Sequence, residues 1–441
     1  MAHLGLMRRA TAVAAAAAAA CAPAPHGGAD GIPAAWHEAH RAALVTADSA
    51  MVVSGAPLAT RAGVQVLRAG GNAVDAAVAV AFTLAVVYPT AGNLGGGGFI
   101  VARLGTESVA LDFRETAPGK ASRDMFLDAR GNVTGRSTIG ALAAGVPGSV
   151  AGLWAMHEKY GRLPWRDLLA PAIALADSGF AADSAFLEDA ADEAPRLSKF
   201  PSTAALLLPH GAPVPYGARW RNPDLAATLR RIAEQGRDGF YTGRTAELIV
   251  AEMRRGGGII SLQDLKDYRA EWREPVEFTY RGHRVIAMPP ASSGGLTVAL
   301  MANVLGGIDL RAMGFHSERA IAAIAGAERA AFLRRNTLLG DPAFVRIDAA
   351  AFLSPDSAAA IRAAIVRAES DRRHTTHFSI VDAQGNAVAM TTTLNDGYGS
   401  AEAVAGAGFL LNDEMDDFTT KPGAVNNMGL RQWEANAIQP G

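Results

Sequence analysis

Thr375-Thr376-His377-Phe378-Ser379-Ile380-Val381-Asp382, then Ala383-Gln384-Gly385-Asn386, then the run from Ala387 to Asn395, is the stretch from which the rest of the chain can be read. Both runs alternate and are rich in β-branched and apolar residues, and the four residues between them are turn formers, so the pattern predicts a β-hairpin. With the loop centred on Gln384 or Gly385, Thr375 lies roughly opposite Thr393 or Asn395, within contact range across the strand pair. A hydroxyl opening a strand, with a hydroxyl and a carboxamide across from it, is a reasonable setting for a nucleophile. The competing reading is a half-buried hairpin with a Thr-rich face, because Thr is simply a good strand residue.

Around that stretch, 441 residues are enough for a sizeable core and one to three domains. The chain is 49% hydrophobic and 19% charged, as an ordered globular protein is. With 41 Lys plus Arg against 43 Asp plus Glu, the formal charge is -2, and nothing argues for a nucleic-acid partner. Residues 1–30 are expected to be a signal peptide and linker. Arg8-Arg9 precede a short apolar run from Ala10 to Ala20, too short for a stable membrane span. Cys21 follows Ala18-Ala19-Ala20, as at a lipoprotein cleavage site. Two readings stand, a lipid on Cys21 or ordinary cleavage at an Ala-x-Ala site. Either makes the protein exported, periplasmic or lipid-anchored, with membrane contact only through that lipid. As the only cysteine, Cys21 leaves no disulfide within the chain.

From the N-terminal side, Met51–Ser54 reads as a strand and Pro57–Arg68 as a helix ending at Gly70-Gly71. A second helix starts at Asn72 or the nearby turn and runs to Val87, apolar on nearly every side and therefore buried. Pro89 stops it. Gly92-Asn93-Leu94-Gly95-Gly96-Gly97-Gly98-Phe99 leads into a strand Ile100–Arg103. The order helix, loop, strand reverses a nucleotide-binding loop, so the glycines are expected to let backbone approach backbone or a ligand. Arg114 in Leu111-Asp112-Phe113-Arg114-Glu115 suits a carboxylate ligand, against a local ion pair with Asp112 or Glu115. Gly148-Ser149-Val150-Ala151-Gly152 is not a Gly-x-Ser-x-Gly elbow, which argues against an α/β-hydrolase. Residues 164–255 read as mainly helical with a polar surface stretch from Arg196 to Arg221. Strands are expected at Val276–Tyr280 and Arg284–Met288, a tight turn at 289–295 and helices to about Ser370. No His/Cys spacing suggests a metal site, and no cofactor is implied.

A threonine hydroxyl is a poor nucleophile near neutral pH unless a base takes its proton. No His-Asp pair is legible from spacing. The residue's own α-amino group, with a pKa near ~8, is an alternative base. Cleavage between His374 and Thr375 would create it.

Thr-Thr-His-Phe-Ser-Ile-Val-Asp at 375–382, Thr-Leu-Asn at 393–395 and Leu-Leu-Asn-Asp-Glu-Met-Asp-Asp-Phe at 410–418 closely resemble the γ-glutamyltransferases, self-cleaving N-terminal nucleophile hydrolases. Segments 93–99, 111–115, 145–149, 289–295 and 339–342 resemble the same family in the same order, so the likeness covers residue 45 to the end. It implies an α+β fold, a four-layer αββα sandwich, cut into a large subunit, 31–374, and a small subunit, 375–441. It implies Thr375 as nucleophile and Thr393 as the second threonine bonded to it. Arg114 would grip the substrate α-carboxylate, and Asn395, Glu414 and Asp417 its α-amino end. The expected partners are glutathione and other γ-glutamyl compounds, with water, amino acids or dipeptides as acceptors.

In the family a paired-serine segment and a Gly-Gly segment follow the position of Gln439-Pro440-Gly441, and both support the donor site. Loss of one oxyanion donor costs on the order of 3 kcal/mol, and absent C-terminal strands would leave a sheet edge open. The resemblance therefore implies that the 441 residues are an incomplete record of a longer protein; if they were the whole product, they are expected to fold poorly and turn over little. Met428 stands where some members carry an aromatic pocket cover. Siblings with another acyl donor, a cephalosporin acylase or a capsule-processing transpeptidase, are the near alternative. A non-catalytic envelope protein is the distant one.

Overall fold

The computed structural model describes residues 45–364, 376–424 and 433–441. Its centre is an antiparallel six-stranded sheet in the order β1-β9-β10-β2-β3-β6. The strands are β1 (Met51–Val53), β2 (Gly97–Leu104), β3 (Glu107–Asp112), β6 (Glu271–Arg273), β9 (Thr376–Val381) and β10 (Ala387–Thr393). The hairpin expected from sequence is β9–β10, in a register running from Val381↔Ala387 to Thr376↔Thr392. Its turn is built by Asp382. One carboxylate oxygen accepts the N–H groups of Gln384 and Asn386, both at 2.9 Å, and Gly385 takes φ +76°. Such an Asx-type turn with a left-handed glycine is what that sequence can form cheaply.

Alternation along β9 puts Thr376, Phe378 and Ile380 on a buried face and leaves His377, Ser379 and Val381 exposed. Helix α1 (Pro57–Arg68) and helix α2 (Ala73–Val87) pack on each other, and α2 lies against β9 and β10. Every residue of α2 except Ala85 is buried, as its unbroken apolarity predicts. Asn72 closes a capping box with Asp75, and the other oxygen of Asp382 accepts the N–H of Ala73 at 3.1 Å. The hairpin turn thus supplies a carboxylate to a helix N-terminus, where the dipole favours negative charge.

The glycine run is part of the sheet and not only the loop before it, since β2 begins at Gly97. A Cβ on Gly98 would sit 2.2 Å from the carbonyl oxygen of Thr391, and one on Gly96 would sit 2.3 Å from that of Thr393. We expect Gly98→Ala to lower stability by about 1–3 kcal/mol, read as a lower urea midpoint at unchanged m. An unchanged midpoint would show that β2 can shift away from β10.

Two strands, β7 (Val276–Tyr280) and β8 (His283–Ala287), form a separate hairpin against helix α3 (Gly294–Gly306). Helix α4 (Glu318–Leu338) packs on α3, and their shared core contains Leu296, Leu300, Val304, Ala327 and Ala331. The stretch Arg196–Arg221 departs from its reading as polar surface. It holds β5 (Arg219–Trp220), paired with β4 (Phe180–Ala181), and a helix Pro201–Leu207. Leu197, Thr203, Leu208 and Trp220 are buried. Its polar groups serve the interior: Arg196 Nη1 donates to the Gly399 carbonyl at 2.7 Å and the Thr203 hydroxyl to that of Ala401 at 2.8 Å. Cys21 and the leader, His374 and Thr375, and Met428 lie outside the described residues.

Candidate active site

Arg114 follows the end of β3, and its placement comes from backbone bonds. Its N–H donates to Asp112 Oδ1 at 3.0 Å, and its carbonyl accepts the Tyr268 hydroxyl at 2.7 Å. Neither local carboxylate bonds the guanidinium: Arg273 Nε occupies Asp112 Oδ2 at 2.8 Å, and the Glu115 oxygens make no hydrogen bond. The Arg114 guanidinium reaches some 300 residues along the chain instead. Nη2 lies 2.9 Å from Glu414 Oε1 and bonds Asp417 Oδ2, with the Phe99 ring 5.9 Å from Cζ.

Glu414 and Asp417 are presented together by the 3₁₀ turn Glu414–Asp417, in which residues three apart eclipse. The two residues between them fix the turn. Met415 is buried with Ala117, Phe126 and Ile438, and Asp416 accepts the Ser137 hydroxyl at 2.6 Å. Asn412 adds a cross-brace. Its Nδ2 donates to the carbonyls of Gly95 and Gly145, and its Oδ1 accepts the N–H groups of Gly145 and Glu414. Asn436 Nδ2 donates to the Asp417 carbonyl at 2.6 Å.

Burial, helped by the neighbouring Asp417 and Asp396, pushes the Glu414 carboxyl up to about 7, although Arg114 opposes the rise. Burial and the Glu414 charge hold Glu115 well above the usual carboxylate range. Glu115 is 8% exposed, and neither of its oxygens has a hydrogen-bond partner. A buried unpaired carboxyl is most economical when neutral. Four ionisable groups therefore meet here, and its surroundings favour the neutral form of Glu115. Sequence reasoning treated Glu115 only as a neighbour of Arg114. Its one available signal was its place in the Leu-Asp-Phe-Arg-Glu motif.

Arg114, Glu115, Glu414 and Asp417 line a cavity of about 260 Å³, together with Phe99, Tyr268, Ser292, Ser293 and Arg335. Thr393 and Asn395 do not line it. They lie at the end of β10, where the Asn395 N–H donates to Thr393 Oγ1 at 2.9 Å. Asn395 takes φ +79°, a left-handed conformation Asn tolerates better than most residues. This end is tied to the acidic turn, since Asn395 Nδ2 donates to the Asp413 carbonyl at 3.2 Å and Asp413 N–H to the Leu394 carbonyl at 3.0 Å. The structure thus brings Arg114, Glu414 and Asp417 into one cavity and links Thr393 and Asn395 to it through residue 413. Thr376, the residue after Thr375, pairs with Thr392, the residue before Thr393.

A family model described as Gamma-glutamyltranspeptidase matches residues 59–441, and the chain belongs to that family. It is 45% identical over 415 residues to the "Glutathione hydrolase proenzyme" of Pseudomonas sp. (strain A14), covering 90% of this chain and 72% of that relative. The crystal structure of Helicobacter pylori gamma-glutamyltranspeptidase superposes with a TM-score of 0.71 at 41% identity, covering 75% of this chain and 95% of that one. The cephalosporin acylase from Bacillus halodurans superposes with a TM-score of 0.80 at 27% identity, over 93% and 76% of the two chains.

Proposed function

We propose that this protein is a glutathione hydrolase and γ-glutamyltransferase that acts after cutting itself before Thr375. The observation that carries the reading is the ion cluster of Arg114 with Glu414 and Asp417. A γ-glutamyl head bears an α-carboxylate and an α-ammonium on one carbon. Entering the cluster, its carboxylate replaces the acidic side chains on the Arg114 fork, and its ammonium takes their place beside Glu414 and Asp417. Each protein charge exchanges one partner for another, so little desolvation is left uncompensated. Asn395, tied to the acidic turn through the Asp413 carbonyl, is the remaining ligand for the ammonium. The opposed charges favour a free glutamyl-type head, which carries both on one carbon.

In the maturation step Thr375 Oγ attacks the His374 carbonyl carbon, and the hydroxyl proton passes to the departing Thr375 nitrogen. Water hydrolyses the resulting ester, giving a His374 carboxylate and Thr375 with a free amine and hydroxyl. That amine is the base for the second reaction, in which Thr375 Oγ attacks the γ-carbonyl and expels the substrate amine. The γ-glutamyl ester is then resolved by water or by an acceptor amine. The Thr393 hydroxyl supports the nucleophile. The two subunits stay together as an αββα sandwich, with the six-stranded sheet as one inner layer. Export to the periplasm or envelope completes the reading, supported by the leader-like residues 1–30.

A pH test follows from Glu414. Its neutral form offers no charge to the ammonium, so binding requires loss of its proton. The KM of the full-length enzyme for γ-glutamyl-p-nitroanilide is expected to fall by about twofold from pH 7 to 8 and then to level off. Below about pH 7 it is expected to rise by up to about tenfold per unit. Glu414→Gln should raise KM at pH 8 and remove the break. A KM that stays level from pH 5.5 to 8 in the unaltered enzyme would take Glu414 out of the ammonium site.

A further inference from the structure

We infer that Asn93 is the positioning residue that holds the nucleophile end of the hairpin, an inference that rests on the proposed role of Thr375 and Thr393. Its carboxamide is 7% exposed and fully used. The two Nδ2 hydrogens are shared among three acceptors, the Thr393 carbonyl at 2.8 Å, Thr392 Oγ1 at 3.0 Å and the Ala91 carbonyl at 2.9 Å. Oδ1 accepts the Gly96 N–H at 3.1 Å and the Ser149 hydroxyl at 2.6 Å. The carbonyls can only accept and the Gly96 amide can only donate, so the carboxamide has one permissible orientation.

The bonds form a relay with a direction. Ser149 donates to Asn93, Asn93 to Thr392, and the Thr392 hydroxyl to the Gly97 carbonyl at 2.9 Å. The N–H groups of Gly148 and Ser149 hold the Gly96 carbonyl at 2.8 and 3.0 Å, which pins the glycine run to the start of the helix Ser149–Tyr160. Chains of this kind polarise one another inside a protein. Their common end is the backbone of residues 392 and 393, beside the point where the small subunit begins. Beyond Thr393 the β10 backbone leaves its ladder with β2, whose last pair is Thr393↔Gly97. Asn93 therefore replaces a strand partner at the position that must stay still while the neighbouring peptide bond is broken. The absence of a Cβ at Gly96, where one would lie 2.8 Å from the Asn93 carboxamide, makes room for that replacement.

Asn93→Asp tests the assignment in the full-length protein. It keeps the shape and the Oδ1 acceptor but turns an oxygen toward the Thr393 carbonyl. The expected result is precursor cleavage slowed by at least about tenfold, followed by electrophoresis. In the matured fraction kcat is expected to fall by a similar factor while KM for γ-glutamyl-p-nitroanilide stays within about twofold, because the head-group ions are elsewhere. A merely structural role would lower the melting temperature and leave kcat per folded enzyme unchanged, and that outcome overturns the inference. Should Asn93→Asp fail to fold, Ser149→Ala removes a single hydroxyl from the other end of the relay. There cleavage is expected to slow by about threefold, and wild-type cleavage would overturn the inference. A wild-type protein that is never cut before Thr375 would instead remove the functional reading beneath it.

Discussion

Thr375→Ala is expected to leave the protein as one uncut chain with γ-glutamyl transfer and hydrolysis reduced by at least about 10⁴-fold, because a single hydroxyl serves both reactions. Alanine differs by the loss of that hydroxyl and a methyl at the residue before β9, and Thr376, Phe378 and Ile380 still anchor the strand in the core. Folding should persist, and the variant's melting temperature provides the control. Thr375→Ser retains a hydroxyl and should cut slowly, giving an active enzyme in the end. The pattern of no cleavage with Ala and delayed cleavage with Ser separates a chemical role from a packing role. Cleavage of Thr375→Ala at the wild-type rate would place the nucleophile elsewhere.

Arg114→Ala has the next largest expected effect, and it falls on binding. The substitution takes the fork away from the substrate carboxylate and leaves Glu414 beside Asp417 with no counter-charge. Removing one member of a buried ion pair costs about 3–5 kcal/mol. Arg114 and Asp417 are each 28% exposed, so solvent returns part of that. We expect kcat/KM to fall by about 10²–10³-fold, mainly through KM. Arg114→Lys keeps the charge and loses the planar fork, so it should fall between the two. Self-cleavage should proceed in both variants, since Arg114 makes no bond to the β10 end. Loss of cleavage together with loss of binding would mean that Arg114 acts through the fold.

These two effects rest on parts of the protein that were unequally legible in the sequence. The helices Pro57–Arg68 and Ala73–Val87 and the β9–β10 hairpin follow from local patterning, because period, cap and turn chemistry agree there. Gly97 and Gly98 were read as loop and lie in β2, since glycine is depleted in strands and marks one only where backbones must close together. The edge strand Glu271–Arg273 has three residues and no pattern to announce it. The partners of Arg114 could not be read locally at all, because Glu414 and Asp417 lie some 300 residues away. Only the likeness of several motifs in order joined them. Glu115 and Asn93 were within quoted motifs, but burial without a partner and a fully bonded carboxamide are facts of packing.

N-terminal sequencing of the fragments of the purified full-length protein, separated by denaturing electrophoresis, tests the central claim most directly. The account predicts a small fragment that begins Thr-Thr-His-Phe-Ser, with Thr375 as its first residue. A chain that stays whole in an enzyme cleaving γ-glutamyl-p-nitroanilide, or a fragment beginning at any other residue, would contradict it.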